Sequence, residues 1–255
     1  MTASVAVVVP VFRERLGPDE AIALRHLRTH LGGYDGFAVC PESLDLELLD
    51  LVRIGLDDRH FRTHRDYSRL MLSAGFYRRF EQYEFVLVHQ LDSAVFSDDL
   101  PRWCGEPYDY VGAPWVRRSA DGRPFFAGVG NGGLSLRRVE AFVPVAEAWR
   151  RLRTRAVVAG RHAGELARRI VSEPRRSRQL LSDRYVYEDK FWSLEAPRLA
   201  PGFRVPPAET AVAFAFETEP RFCFEQNGRR LPFGCHKWRA HDPEFWAPHL
   251  LADAA

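Results

Sequence analysis

The sequence predicts an α/β protein: an open, mostly parallel central sheet flanked by helices, followed by a smaller mixed second half. Three observations predict it. The run "SVAVVVPVF" at Ser4–Phe12 is β-branched and apolar without alternation, the pattern of a strand buried on both faces. The next segment, Gly17–Gly33, repeats Ile22, Leu24, Leu27 and Leu31 at helical spacing, with Pro18 and Asp19 at its start and Gly32 and Gly33 at its end. Strand-like and helix-like segments then go on alternating, which calls for crossover connections and therefore parallel strands.

Taken in order, "GFAVCP" (Gly36–Pro41) is the second strand and "LVRIGL" (Leu51–Leu56) the third. A helix is predicted over Asp66–Phe80, with Tyr67, Leu70, Met71, Phe76 and Tyr77 inward. "YEFVLVHQ" (Tyr83–Gln90) is the fourth strand. The texture then changes. "YDYVGAPW" (Tyr108–Trp115) reads as a short strand ending in a turn, and "GVGNGGLSLRR" (Gly128–Arg138) as a glycine-rich loop leading into a strand or a helix start. A helix follows over about Val139–Arg153. Arg150–Arg184 holds eleven arginines and few large apolar residues, the pattern of an exposed helical excursion. From Tyr185 the chain is aromatic again. With no internal repeat and no long linker, residues 1–255 form a single domain, divided into halves at 1–115 and 116–255.

At 255 residues the chain is long enough to bury a large core, and 46% hydrophobic with 27% charged residues places it among soluble globular proteins. A net charge of +2 gives no sign of a nucleic-acid partner. Lysine occurs only at Lys190 and Lys237, a bias that reads as the codon usage of a GC-rich, bacterial genome. No stretch approaches the roughly 20 apolar residues of a membrane span. The opening residues lack a basic leader and Arg13 interrupts the apolar run, so a cytoplasmic location is expected. Cys40, Cys104, Cys223 and Cys235 form no C-x-x-C pair and are expected as buried free thiols.

Several short stretches carry candidate chemistry. In "VLVHQLDSAVF" (Val86–Phe96), Asp92 stands just past a strand that should be central. A carboxylate there is costly unless it is solvated, paired or bound to a cation, so it is either a turn-former or a group facing a ligand. "GVGNGG" formally matches G-x-G-x-x-G at Gly128, Gly130 and Gly133, but it lies mid-chain rather than in the first strand–helix turn, so the dinucleotide-binding reading fails on context. Its glycines instead allow backbone to approach a ligand closely. "HRD" at His64–Asp66 resembles a kinase catalytic loop but has Met71 where Asn is required. "YEDKFW" (Tyr187–Trp192) sets Glu188 beside Asp189. Both suit a helix N-terminus, and one of them can serve as a general base, with Asp189 toward the cleft and Glu188 bracing the helix start. "PFGCHKW" (Pro232–Trp238) places His236 in a glycine-bearing loop, either structural or a metal ligand. The arginine-rich excursion is a solvated face or a surface for an anionic acceptor or anionic lipid head groups.

Taken together and in this order, "VVVPVFRE", "QLDSAVF", "YDYVGAPW", "GNGGLSLRR", "YEDKFW" and "PFGCHKW" resemble the GT-A class of nucleotide-sugar glycosyltransferases. More narrowly, they resemble a bacterial and fungal family of glycosyltransferase-like domains without assigned function. The resemblance spans nearly the whole chain outside Arg150–Arg184. It implies a GT-A-like, Rossmann-type fold, with residues 1–115 binding the nucleotide sugar and 116–255 on the acceptor side. It implies that Pro10, Val11, Phe12, Gln90, Asp92, Asn131, Gly132 and Gly133 bind the donor, and that Trp115 and Trp192 lie at the acceptor. It further implies a divalent cation, manganese or magnesium, on Asp92 and His236, with Ala94 standing where the second acid of the D-x-D motif belongs. The activity implied is transfer of a sugar to an acceptor hydroxyl by an inverting route, with Asp189 as base and Glu188 beside it. The acceptor would be a carbohydrate, a lipid-linked molecule or a small molecule, and the arginine-rich segment could rest on the inner membrane face. Two other readings stay open: a non-catalytic nucleotide- or sugar-binding module with a decayed D-x-D site, and a nucleotidyltransferase. The latter fits less well because "PVFRERLGPDE" has only Gly17.

Overall fold

The structure, a computed structural model, describes residues 4–46, 50–159 and 187–251. Its centre is a six-stranded sheet built from β1 (Val5–Pro10), β2 (Asp35–Pro41), β3 (Val52–Leu56), β4 (Phe85–His89), β6 (Tyr110–Gly112) and β9 (Leu134–Arg138), in the order β3-β2-β1-β4-β9-β6. The first four of these strands in spatial order run parallel. β9 is antiparallel to both of its neighbours. The sheet is thus mostly parallel and covered on both faces, as an all-apolar β1 requires. Val5, Val7 and Val9 enter one core cluster, while Ala6 and Val8 enter the other.

Helix α1 (Pro18–Leu31) lays Leu24, Leu27 and Leu31 on the first face, where the short helix α4 (Leu100–Gly105) adds Leu100 and Trp103. Pro18 suits the first helical turn, and the backbone N–H of Gly17 donates to Glu20 Oε2 at 2.6 Å. The opposite face is covered by α2 (His64–Met71), α3 (Ala74–Tyr77) and α5 (Val139–Ala159), the last contributing Phe142, Val145 and Trp149. The helix predicted over Asp66–Phe80 is therefore broken, although all five residues predicted inward are buried. Ser73 Oγ accepts the N–H of Phe76 at 3.2 Å and begins a new helix. The freed carbonyl of Met71 accepts the Tyr77 hydroxyl at 2.7 Å and the Trp192 indole N–H at 3.2 Å, so the end of α2 is satisfied by side chains.

The second half adds a three-stranded sheet, β10 (Ala215–Phe216), β11 (Gly234–His236) and β5 (Ser93–Val95), and a hairpin of β7 (Pro114–Arg118) with β8 (Pro124–Val129). The sequence reading ends its strand in a turn at Trp115; the chain instead goes on into this hairpin, with a proline at the first residue of each strand, where proline is tolerated. The glycine-rich loop leads into strand β9, not a helix. α5 runs past the predicted end at Arg153; the rest of the arginine-rich stretch, 160–184, lies outside the described residues. Among the described residues no helix is long and apolar enough to cross a membrane. All four cysteines are free and buried.

Trp192 departs from its expected place at the acceptor. Its side chain has no exposure and packs with Phe142, Phe191 and Phe203 beneath the sheet. Trp192→Ala is expected to cost about 3–5 kcal/mol of stability, the usual range for emptying a buried aromatic site, read as a shift of the urea unfolding midpoint.

Candidate functional site

The chain leaves β1 toward β2 and β3 on one side and returns as β4 on the other. The carboxyl ends of β1 and β4 therefore flank a topological switch point, where open α/β sheets leave a crevice. Pro10 ends β1, and the turn Gln90–Asp92 follows β4. The turn is tied down on two sides. Gln90 N–H donates to Gly133 O at 2.7 Å, and Lys237 N–H donates to Asp92 O at 2.8 Å. β5 then pairs antiparallel with β11 so that His236 lies opposite Ser93, which carries its imidazole to the turn. Lys237 follows with φ of 54°, a left-handed conformation that costs a non-glycine residue free energy.

Two cavities open at this crevice. The smaller, about 330 Å³, is lined by Pro10, Phe12, Arg13, Gln90, Asp92 and Trp238 among others. The larger, about 410 Å³, is lined by Tyr67, Ser68, Asn131, Gly132, Gly133, Glu188, Asp189, Glu217 and His236, and again by Gln90. Gln90 borders both. His236 of the larger cavity meets Asp92 of the smaller, with Nε2 3.1 Å from Asp92 Oδ1 and 3.2 Å from Gln90 Oε1. The two chambers thus share Gln90, and the Asp92–His236 contact links their walls.

His236 is nearly buried between two acids. Its Nδ1 lies 3.1 Å from Glu217 Oε1, which also accepts from Lys237 Nζ at 3.1 Å. Burial by itself pushes the imidazole down, but the hydrogen bonds and charges of Asp92 and Glu217 outweigh it and raise the group above its ordinary value. The same contacts overcome burial at Asp92 and Glu217 and hold both carboxyls below their ordinary range.

Glu188 and Asp189 stand on a one-turn helix, α6 (Glu188–Lys190), with a π turn over Phe191–Glu195 behind it. Glu188 does not cap this helix; Tyr187 holds the N-cap position without a side-chain bond. Instead, Glu188 Oε1 is 3.0 Å from Arg137 Nη2, and the arginine is fully buried. The guanidinium also donates to Ser135 Oγ at 3.0 Å, to the Tyr77 hydroxyl at 2.8 Å and to Gly132 O at 3.3 Å. Burial pushes the Glu188 carboxyl up, and Arg137 pulls it back. Burial likewise raises Asp189, against the N–H of Lys190, which donates to Asp189 Oδ1 at 2.8 Å.

The glycines of the loop are also needed for packing within the protein. A Cβ on Gly132 would sit 1.8 Å from Glu188 Oε1, and one on Gly133 would sit 2.0 Å from His236 Nε2. They make room for the protein's own site side chains. Asn131 closes the loop, its Oδ1 accepting the N–H of Gly133 at 2.8 Å.

The structure therefore brings Pro10, Phe12, Gln90, Asp92, Asn131, Gly132, Gly133, Glu188, Asp189 and His236 to the two cavities. Val11, expected at the donor, is fully buried in the core; its direction along β1 turns it inward, and its N–H pairs with Val39 O at 2.9 Å. Trp115, expected at the acceptor, borders neither of these two cavities. It lies on the hairpin against Gly128 and Gly130. Arg137, Glu217 and Ser68 carry no role in the sequence reading, and Tyr67 reads there only as an inward helix residue. Glu217 had the same signal as Asp92, an acid just past the apolar run "AVAFAF".

Asp92 and His236 can share a cation. Their facing atoms are 3.1 Å apart, close to the ~3.0 Å between adjacent ligands each ~2.1 Å from one ion. Glu217 on Nδ1 leaves Nε2 as the nitrogen free to face a metal, since a ligating histidine usually gives its other ring N–H to a carboxylate or carbonyl. Among the described residues no group of three or more His, Cys, Asp or Glu side chains is placed to hold an ion. Remaining ligands would have to be phosphate oxygens or water, as is common for magnesium. Ala94 is fully buried, packed with Val212, Phe216 and Cys235, so its position is a core position here.

Fold and site together define an α/β protein with a polar, two-chambered ligand crevice at its switch point. Residues 51–236 match the profile of a family described as "Protein of unknown function (DUF5672)", and the chain belongs to that family. No curated protein matches the sequence. The structure is similar to that of a glycosyltransferase involved in glycosylation of the major capsid of PBCV-1, at 11% identity over 91% of this chain and 92% of that one, with a TM-score of 0.43. It is similar to mouse xyloside xylosyltransferase 1 in its apo form, at 12% identity over 91% and 97%, TM-score 0.46. It is also similar to the galactosyltransferase LgtC in complex with donor and acceptor sugar analogs, at 12% identity over 91% and 86%, TM-score 0.43. These likenesses are distant and assign no residue a role.

Two outcomes are expected. Arg137→Met should destabilise the protein by about 3–5 kcal/mol in urea unfolding, because it strands a buried carboxylate. The His236 cluster should stabilise the fold over a limited pH window. His236, raised above 6.5, contributes below that value and loses its contribution as pH rises through its raised pKa; Asp92 and Glu217, lowered from 3.8 and 4.5, contribute above those values and lose it as pH falls. The difference in unfolding midpoint between wild type and His236→Ala, measured in chelator, should be largest between about pH 4.5 and 6.5 and shrink on either side.

Proposed function

We propose that the protein is a glycosyltransferase that moves a sugar from a nucleotide-sugar donor to an acceptor hydroxyl. The observation that carries this reading is the pair of cavities that share Gln90 and are linked by the Asp92–His236 contact over the β1–β4 switch point. A nucleotide sugar has the same layout: a nucleoside and a sugar joined by a diphosphate. The nucleoside would lie in the smaller cavity against Pro10 and the half-exposed ring of Phe12, which stands edge-on to Phe61 and Tyr67. The diphosphate would lie at Asp92 and His236, and the sugar would enter the larger cavity beside Asn131, Gly132 and Gly133.

Asp92 and His236 would hold a divalent cation, manganese or magnesium. When bound, it would supply electrostatic stabilisation of the leaving diphosphate. Asp189, on the wall of the larger cavity, would take the proton of the attacking acceptor hydroxyl. Its upward-shifted carboxyl makes it a better base than a solvated aspartate, and attack opposite the leaving group gives inversion. The acceptor is a hydroxyl of a carbohydrate, a lipid-linked molecule or a small molecule, approaching past Tyr187 and Lys190 at the cavity rim. Contact of the arginine-rich segment with an anionic acceptor or membrane surface belongs to the same proposal, and 160–184 of that segment lie outside the described residues.

Release of sugar from a panel of nucleotide sugars, with manganese and with chelator, tests the reading. A transferase leaks donor to water, whereas a binding module binds without turnover. Asp92→Asn should lower turnover by about 10²–10³, the usual weight of one electrostatic contact to developing charge. Asp189→Asn should lower it by about 10²–10⁴ and leave donor affinity unchanged, because the base touches the acceptor. Full activity in either folded variant would refute the corresponding role.

A further inference from the structure

His26 is buried on α1 and is bonded through both ring nitrogens. Nδ1 lies 2.8 Å from Val95 O, a carbonyl that can only accept, so this nitrogen carries a proton. The backbone N–H of Leu251 donates to Nε2 at 2.9 Å, so this nitrogen carries none. The two partners leave one protonation state, the neutral imidazole with its hydrogen on Nδ1. A second proton, on Nε2, would point at the Leu251 N–H and break that bond.

The same stretch of α1 grips Leu251 twice, because Arg25 Nη1 donates to its carbonyl at 2.8 Å. Leu251 follows the short helix Pro243–Trp246, whose Trp246 stacks on Phe96 with ring centroids 5.5 Å apart. Phe96 in turn meets the His26 ring edge-on at 5.5 Å. Val95 ends β5, the strand whose pairing with β11 sets His236 opposite Ser93. His26 therefore fastens the segment Pro243–Leu251 to both α1 and the end of β5.

The surroundings oppose a second proton. Burial is the largest cause, and His30 and Arg25 on α1 add repulsion; together they outweigh the Val95 carbonyl and hold the imidazole below its ordinary value. His89 on β4 and His26 repel each other when charged. Asp98, beyond β5, acts on His30. On the segment itself, Leu251 presents only backbone groups to His26, and His249 packs against Phe245 with ring centroids 5.7 Å apart.

We propose that His26 is a proton-operated latch, which holds the segment Pro243–Leu251 down while the imidazole is neutral and releases it when Nε2 takes up a proton from water. Release returns the imidazole toward 6.5, so docking is complete above that value. As pH falls below it, docking weakens by up to about 10-fold per pH unit until the docked imidazole itself titrates. The latch is independent of the transferase reading.

Amide hydrogen exchange of the full chain, read by mass spectrometry at about pH 7.5 and about pH 5 and corrected for the intrinsic pH dependence of exchange, tests it. Peptides from 243–251 should lose protection by about 5- to 30-fold at the lower pH, while those of β1 and β4 keep theirs. His26→Asn keeps a donor for Val95 O and has no ring acceptor for Leu251, so the segment should exchange fast at both pH values. His249→Asn removes the one imidazole within 243–251 and should leave the wild-type response unchanged. In the wild type, the His26 ring signal followed by NMR should titrate over the pH range in which the segment opens. Equal protection of the segment at both pH values would overturn the latch. So would a pH response that survives in His26→Asn or disappears in His249→Asn, a His26 titration outside the opening range, or loss of protection in β1 and β4 along with the segment.

Discussion

A guanidinium sealed in a protein core has to be neutralised, and much of this site follows from how Arg137 meets that demand. It sits on β9 with no exposure, holds Glu188 at 3.0 Å, and gathers Tyr77, Ser135 and the Gly132 carbonyl around it. Tyr110 and Phe142 face the cation with their rings. The pair joins the central sheet to the short helix at Glu188, two segments 51 residues apart in the chain. Breaking such a pair leaves a buried charge, whereas replacing it by apolar groups often does not destabilise, so its retention points to placement of the acid more than to stability.

His236 solves a related problem with a different residue type. Asp92 and Glu217 approach it from opposite ring nitrogens, and each stabilises the charged form against burial. The same geometry suits a proton or a cation, since either supplies the positive charge that two facing acids need. The loop Asn131–Gly133 serves both clusters. Gly132 leaves room for Glu188 and Gly133 leaves room for His236, so one glycine pair admits the two groups that define the larger cavity.

Much of this was legible in local pattern. The unbroken apolar run of β1 meant burial on both faces, and the alternation with helices meant a parallel sheet with its crevice at the strand ends. Asp92 was legible because a lone acid past a buried strand has few stable roles. Glu188, Asp189 and His236 were legible because acids and an imidazole interrupt aromatic segments that otherwise read as core. Arg137 was not, since in "LSLRR" nothing local separates an arginine turned inward from one turned out, and only Arg138 next to it is partly exposed. Val11, Trp115 and Trp192 misled for the opposite reason: apolar and aromatic residues beside a motif suit a ligand or the core equally well.

By itself, the sequence determined the sheet class, the order of the elements and which strand ends carry acids, because these depend on periodicity and on the cost of burying charge, both local. Tertiary structure alone decided which of those groups meet. Whether Glu188 caps a helix or pairs with Arg137, whether His236 reaches Asp92 across 144 residues (236 − 92), and whether a glycine faces a ligand or a neighbouring side chain all depend on the pairing of β11 with β5 and of β9 with β4. Strand register places side chains from distant segments within a few ångströms of one another, and no spacing along the chain encodes that contact.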